Sequence, residues 1–123
     1  MIAVIFELWP ADGRKEHYLG LAQRLRDDLE QMDGFISVER FQSITDPGKL
    51  LSLSFWRDEE AVARWRNQAQ HRTTQAAGRG GIFADYRLRV ASVLRDYGMT
   101  ANRDQAPGDS QEAHDLGHAA RRA

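Results

Sequence analysis

The side chains best placed for chemistry lie between Leu50 and Gln75, where a strand pattern passes directly into a helix pattern. One face of the strand carries Ser52, Ser54 and Trp56. A solvated face rarely ends in tryptophan and a core face rarely holds two serines, so this mixture predicts the wall of a ligand cavity. Packing of Trp56 at the end of the sheet is an alternative explanation of the same pattern.

The helix that follows adds three further candidates, which are Trp65, His71 and Gln75. Asp58 is predicted to be its N-cap, and Trp65 lies on the apolar stripe that faces the sheet, so Trp65 is first of all a core residue. His71 and Gln75 are one turn apart on the flank of that stripe, where a helix borders a cavity mouth.

Alternating and helical patterns predict the elements that position these residues. The strands are predicted at residues 1–9, 35–43, 50–56 and 82–94. One helix carries the apolar stripe from Tyr18 to Met32, with Gly34 as its left-handed C-cap, and the second helix follows Asp58. The order βαββαβ predicts an α+β, ferredoxin-like domain, in which two helices cover one face of a four-stranded antiparallel sheet.

This topology leaves the other face of the sheet without helices. Both faces of the first strand are mostly apolar, since Ile5 and Trp9 stand opposite Val4, Phe6 and Leu8. Monomeric proteins rarely expose a large apolar sheet. We therefore expect a homodimer that packs sheet against sheet about a two-fold axis, unless the C-terminal tail covers this face.

The composition limits the classes of function. A chain of 123 residues with 41% hydrophobic residues predicts one globular domain. A formal net charge of -1 argues against the basic surface that a nucleic-acid partner requires. The lack of cysteine removes disulfides, thiolate catalysis and cysteine metal sites. No apolar run reaches roughly 20 residues and no basic leader precedes the first strand, so we expect a cytoplasmic protein without a membrane partner.

Residues 98–123 differ in composition and are predicted to form a C-terminal arm, which leaves residues 1–97 as the ferredoxin-like domain. A short helix is expected to begin at Ser110 and to pack on the partner subunit. His114 and His118 have the i, i+4 spacing of a metal pair. Only Glu112 and Asp115 stand near them, so we predict a solvated tail and no metal site.

In its ordered motifs, the chain resembles the antibiotic biosynthesis monooxygenase-like family of dimeric α/β barrel proteins. The motifs are Asp33-Gly34-Phe35 at the second strand, Trp56 followed by Arg57-Asp58-Glu59-Glu60-Ala61, and a helix with Trp65 and His71. The resemblance covers about residues 1–97. It implies a homodimer with one pocket per subunit between the sheet and the helices. In the oxygenases of this family, a phenol, hydroquinone or anthrone reacts with dioxygen without a metal, flavin or other cofactor.

The resemblance also implies roles for individual residues. Trp56 stands where family members line the substrate pocket with tryptophan, and Ser52 stands where some relatives use asparagine. Trp65 would form an apolar wall, and Gln75 would contact the substrate. His71 matches a histidine of many relatives and is the expected catalytic residue, because it can carry a proton near neutral pH. A histidine at a helix edge that bonds a backbone carbonyl or the other subunit would show the same pattern.

Two departures from the family bear on the function. The haem-degrading branch needs a histidine in place of Gln75 and an asparagine in the first strand, where Glu7 is the only polar residue here. Arg87 and Arg89 could replace an arginine donor found in one relative, or could pair with Glu39. Three functions remain open: a cofactor-independent monooxygenase acting on a small electron-rich aromatic, a non-catalytic ligand-binding or stress-related dimer, and, less favoured, haem binding or degradation.

Overall fold

The described part of the chain folds in the predicted order. The computed structural model describes residues 1–77 and 81–114, and in the second helix it describes side chains as far as Ala69. The strands are β1 (Ile2–Pro10), β2 (Phe35–Gln42), β3 (Leu50–Trp56) and β4 (Phe83–Ser92), and the helices are α1 (Lys15–Glu30) and α2 (Glu59–Ala77). This order confirms the predicted βαββαβ arrangement.

The four strands form one antiparallel sheet in the order β2-β3-β1-β4. In its register, Ser52 of β3 pairs with Arg40 of β2 and with Phe6 of β1, and Phe6 pairs in turn with Leu88 of β4. Directly paired residues point to the same face of a sheet. Arg40, Ser52, Phe6 and Leu88 therefore form one continuous row across the sheet, which we call the central row.

Both helices pack on the face that carries this central row. One core cluster consists of Leu8, Tyr18, Leu21, Leu50 and Ile82. A second core cluster consists of Leu29, Trp56, Ala61 and Val62. The two clusters lie at opposite ends of β3, and Ser52 stands between them. This arrangement confirms that the two helices cover one face of the sheet.

The ends of the helices follow from local hydrogen bonds. Asp58 caps α2 as predicted, because its Oδ1 accepts a hydrogen bond from the backbone N–H of Ala61 at 2.8 Å. The prediction for Gly34 is wrong, since α1 ends at Glu30 with the right-handed Gln31 as its C-cap. Gly34 has φ of 89° and lies where an added Cβ would be 2.7 Å from the Ala61 Cβ. Its glycine therefore serves the turn into β2 and the close approach of α2.

The chain divides into two compact units, Met1–Ser92 and Val93–Ala123. In the second unit, residues 108–114 are helical, so this helix begins two residues before Ser110. The Arg103 guanidinium lies 5.4 Å from the ring centroid of Tyr97 and donates a hydrogen bond to the Gly98 carbonyl at 2.8 Å. The domain boundary at residue 97 stays a prediction. Among the described residues, no helix is both long and apolar enough to span a membrane.

Candidate functional site

The buried end of β3 is built around the indole of Trp56. This side chain is only 1% exposed, and its Nε1–H donates a hydrogen bond to the Ser54 hydroxyl at 2.9 Å. The indole N–H is therefore satisfied inside the core and has no need of a ligand. Trp56 packs at the end of the sheet, and its predicted contact with substrate stays a prediction.

Two further aromatic rings surround this indole. The ring of Phe35 meets it edge to face at a centroid distance of 5.4 Å, and the ring of Trp65 lies 6.5 Å away at an angle of 31°. Trp65 is only partly buried against the second core cluster. The structure thus brings Trp56 and Trp65 together. Trp65 is the one of the two whose surface is still partly accessible.

His71 and Gln75 belong to α2, whose backbone remains helical as far as Ala77. Their side chains lie outside the described residues, and their predicted roles stay predictions. His118 of the C-terminal arm also lies outside them. Within the described ranges, no group of three or more histidine, aspartate or glutamate side chains could hold a metal ion.

The side of the central row nearest β4 is open. Tyr86, Leu88 and Val90 alternate along β4 on the helix-facing side, and they are 58%, 50% and 43% exposed. The Phe6 ring contacts the rings of Tyr86 and Phe83 edge to face, both at 5.7 Å. Together, Phe6, Tyr86, Leu88 and Val90 form an apolar surface beside Ser52, which we call the β4 shelf.

Arg40 occupies the opposite end of the central row and was not among the predicted site residues. Its Nε is buried and has no hydrogen-bond partner. Its neighbours on the same face are Val38, which packs against the second core cluster, and Gln42, whose Oε1 accepts a hydrogen bond from Lys15 of α1 at 3.2 Å. The alternation of Val38 and Arg40 was the available sequence signal, since it placed the arginine on an apolar face.

A separate shallow depression of about 500 Å³ is lined by Met1, Gly34, Phe35, Ile36 and Arg57. Its guanidinium is already engaged, because Arg57 bonds both carboxylate oxygens of Asp33 at 3.1 and 3.0 Å and donates to Asp58 at 2.8 Å. The guanidinium holds the pKa of both carboxyl groups below their usual range. This ion-pair network links α1 and β2 to the start of α2, and we assign it to stability rather than to the candidate site.

The helix-free face of the sheet carries its own polar cluster. Glu7 forms ion pairs with Lys49 at 2.9 Å and with Arg89 at 3.1 Å. Hydrogen bonding from Lys49 is the main reason that the pKa of Glu7 lies below its usual value. Arg89 therefore pairs with Glu7 and not with Glu39. The register places Arg87 and Arg89 opposite Glu7 and Ile5, on the other face from Ser52, so neither can supply a donor to the central row.

Comparison with known proteins agrees with this architecture. The sequence model of the family "Antibiotic biosynthesis monooxygenase" matches residues 1–77. Over 116 residues, the chain is 41% identical to "Jasmonate monooxygenase ABM" of Pyricularia oryzae, an alignment that covers 94% of this chain and 54% of that protein. The chain thus spans about half the length of this relative.

Solved structures show the same fold. Rv0793 from Mycobacterium tuberculosis has a TM-score of 0.66 at 19% identity and covers 79% of this chain and 98% of its own. SnoaB from Streptomyces nogalater, described as a cofactor-independent oxygenase, has a TM-score of 0.63 at 8% identity and covers 77% and 94%. Since the family model matches more than half of its residues, the chain belongs to the antibiotic biosynthesis monooxygenase family.

Proposed function

We propose that this chain is a monooxygenase that uses dioxygen to oxidise a small electron-rich organic molecule without a metal or a flavin. The observation that carries the proposal is the central row, in which Ser52 and Phe6 lie between two core clusters and continue into the open β4 shelf. A strip that is apolar, aromatic and sparsely polar is the usual lining of a small-molecule site. Membership of the family supports the reaction class.

Electron-rich aromatics suit this chemistry because they supply every electron themselves. A phenol, hydroquinone or anthrone that loses a proton becomes an anion able to reduce dioxygen. For an anthrone, one carbon exchanges its two hydrogens for one oxygen atom, and the second oxygen atom leaves as water, so the reaction balances without a reductant. The protein then has to exclude water, accept a proton and stabilise the anion.

We assign the proton transfer to His71, the substrate contacts to Ser52, Trp65 and Gln75, and a positioning role to Trp56. Ser52 is partly buried in the central row, and Trp65 is partly accessible beside Trp56. Trp56 would act mainly by holding Trp65 in place, because its own N–H is already bonded to Ser54. The assignments of His71 and Gln75 rest on the resemblance of the sequence to the family.

Oxygen uptake with a panel of hydroquinones and anthrones tests the proposal. His71→Ala should lower the rate by about 100-fold or more, which is the usual contribution of general acid–base catalysis. His17→Ala is the matched control, because His17 lies on α1 beside Arg14, with 3.1 Å between its Nδ1 and the Arg14 Nη1. Equal rates in wild type and His71→Ala would exclude His71 as the base. No uptake with any substrate would favour a non-catalytic binding domain.

Jasmonate is a second candidate substrate, favoured by the 41% identity to a jasmonate monooxygenase. Inserting one oxygen atom into a C–H bond while reducing the other to water consumes two electrons that such a substrate does not supply. Oxygen uptake with jasmonate should therefore depend on an added reductant, whereas uptake with an anthrone should not. A haem titration with no change in the Soret band would dispose of the haem alternative.

We also propose that the chain is a homodimer that buries the helix-free face, on which Ile5, Leu53 and Phe55 lie side by side and Phe41 is 41% exposed. Leu53→Glu places a charge in the middle of this face and should convert the dimer to a monomer, measured as mass by light scattering. Ile44→Glu is the control, since Ile44 lies in the β2–β3 turn and is 99% exposed. A monomeric mass for the wild-type protein would overturn the proposed homodimer. Cytoplasmic localisation and the lack of a nucleic-acid partner stay predictions.

A further inference from the structure

We propose that Arg40 binds the carboxylate of the substrate, so that the site selects small apolar molecules carrying one carboxylate. The inference rests on the proposed function, because it takes the central row to be the substrate site. It adds a residue and a charge requirement to that site.

Among the described cations, Arg40 differs in having a buried Nε without a hydrogen-bond partner. Ion pairs to carboxylates engage several described cations: Arg26, Lys49, Arg57, Arg64 and Arg89. Among the described residues, no ion pair or hydrogen bond of Arg40 is present, and its Nε is buried. A buried charged donor without a partner is unfavourable, so folded proteins normally pair such a group with an acceptor. The two Nη groups are not among the buried atoms, so an anionic ligand can reach them and neutralise the charge of this guanidinium.

The position of Arg40 places that anionic group at one end of the substrate site. Arg40 pairs directly with Ser52, so their Cβ atoms are about 5 Å apart. The row then continues through Phe6 to Leu88 on the β4 shelf, a width of three strand spacings, or about 14 Å. A ligand with a carboxylate on Arg40 and Ser52 would lay its apolar body over Phe6 and Leu88.

The number of charges favours one carboxylate over a phosphate. Lys15 of α1 already donates to Gln42 of β2, and Arg87 and Arg89 lie on the opposite face. Among the described residues, the site therefore offers a single guanidinium, which matches a singly charged ligand. The two Nη groups of an arginine form a planar fork that fits the two oxygens of a carboxylate.

Paired ligands that differ only in charge test the inference directly. We would measure the binding of jasmonate and of its methyl ester by titration calorimetry, together with other acid and methyl ester pairs of similar size. Wild type should bind the acid about 10- to 100-fold more tightly than the ester, as expected for hydrogen bonds to a charged group. Arg40→Gln should remove this preference while leaving the affinity for the ester unchanged. Arg40→Lys keeps the charge and loses the fork, so its preference for the acid should lie between those of wild type and Arg40→Gln.

Arg26→Gln is the matched control, because Arg26 pairs with Glu30 on the exposed side of α1. Equal binding of acid and ester by wild type would overturn the inference without any variant, so it remains testable even if Arg40→Gln fails to fold. An equal loss of affinity for the acid and for the ester in a folded Arg40→Gln protein would also overturn it. So would a wild-type protein that binds none of the acids. Oxygen uptake with a neutral hydroquinone in any of these cases would leave the proposed monooxygenase function standing.

Discussion

The hydrogen bond between Trp56 and Ser54 can be measured with a double-mutant cycle in the free energy of unfolding. Both residues are buried, at 1% and 9% exposure, and their Nε1 and Oγ atoms are 2.9 Å apart. Ser54→Ala leaves the indole N–H in the core without an acceptor. Trp56→Phe removes the donor and opens a void beside Leu29 and Val62.

The expected magnitudes follow from these environments. An unsatisfied buried donor costs about 1–3 kcal/mol, so Ser54→Ala should destabilise the fold by about 2 kcal/mol. Trp56→Phe should cost about 2–4 kcal/mol, because the void adds to the lost bond. Once the donor is gone, removal of the Ser54 hydroxyl should cost almost nothing. The coupling energy of the cycle should therefore be about 1.5–2 kcal/mol.

Urea unfolding followed by circular dichroism at pH 7 would give the free energies of unfolding of wild type, the two single variants and the double variant. All four should be measured at one protein concentration, because the stability of a dimer depends on concentration. Ser37→Ala is the control, since Ser37 is an exposed serine of β2, and its change should stay within about 0.5 kcal/mol. Additive effects of Ser54→Ala and Trp56→Phe would refute the argument. The indole N–H would then be available to a ligand after all.

Three further predictions concern the rest of the fold. Gly34→Ala should destabilise the fold by about 2–4 kcal/mol in urea unfolding, because its φ is 89° and the new Cβ would meet Ala61. Gly13→Ala is the control, since Gly13 has a φ of 74° with open space around it, and it should cost only about 1–2 kcal/mol. Arg57→Gln should lower Tm at pH 6, and the difference in Tm from wild type should shrink as the pH falls. The two carboxyl groups that pair with Arg57 have lowered pKa values in the folded state. Their contribution to the free energy of unfolding is therefore complete above pH ~4 and is lost below it. A constant difference down to pH 2 would contradict this. Arg40→Met should raise the stability of the ligand-free protein by about 1–2 kcal/mol, because it removes an unpaired buried donor, and a lower stability would contradict the burial argument.

Much of the fold could be predicted from local patterns. The alternation of Ser52, Ser54 and Trp56 identified the strand and its shared face, and Asp58 marked the start of α2 where the structure has it. These features depend on residues only a few positions apart, since period-2 alternation and an N-cap hydrogen bond are local properties. Gly34 was misassigned for the same reason. Its positive φ suited a helix end, while its close approach to Ala61 joins parts of the chain far apart in sequence.

By itself, then, the sequence determined the order of the elements, their faces and the family to which the chain belongs, because periodicity and short motifs carry that information. Only the tertiary structure decided which side chains meet. Pairing of β2 with β3 placed Arg40 beside Ser52, and pairing of β1 with β4 brought Arg89 to Glu7. The packing of both helices closed the core around Trp56. These contacts depend on strand register and burial, which a one-dimensional pattern does not contain.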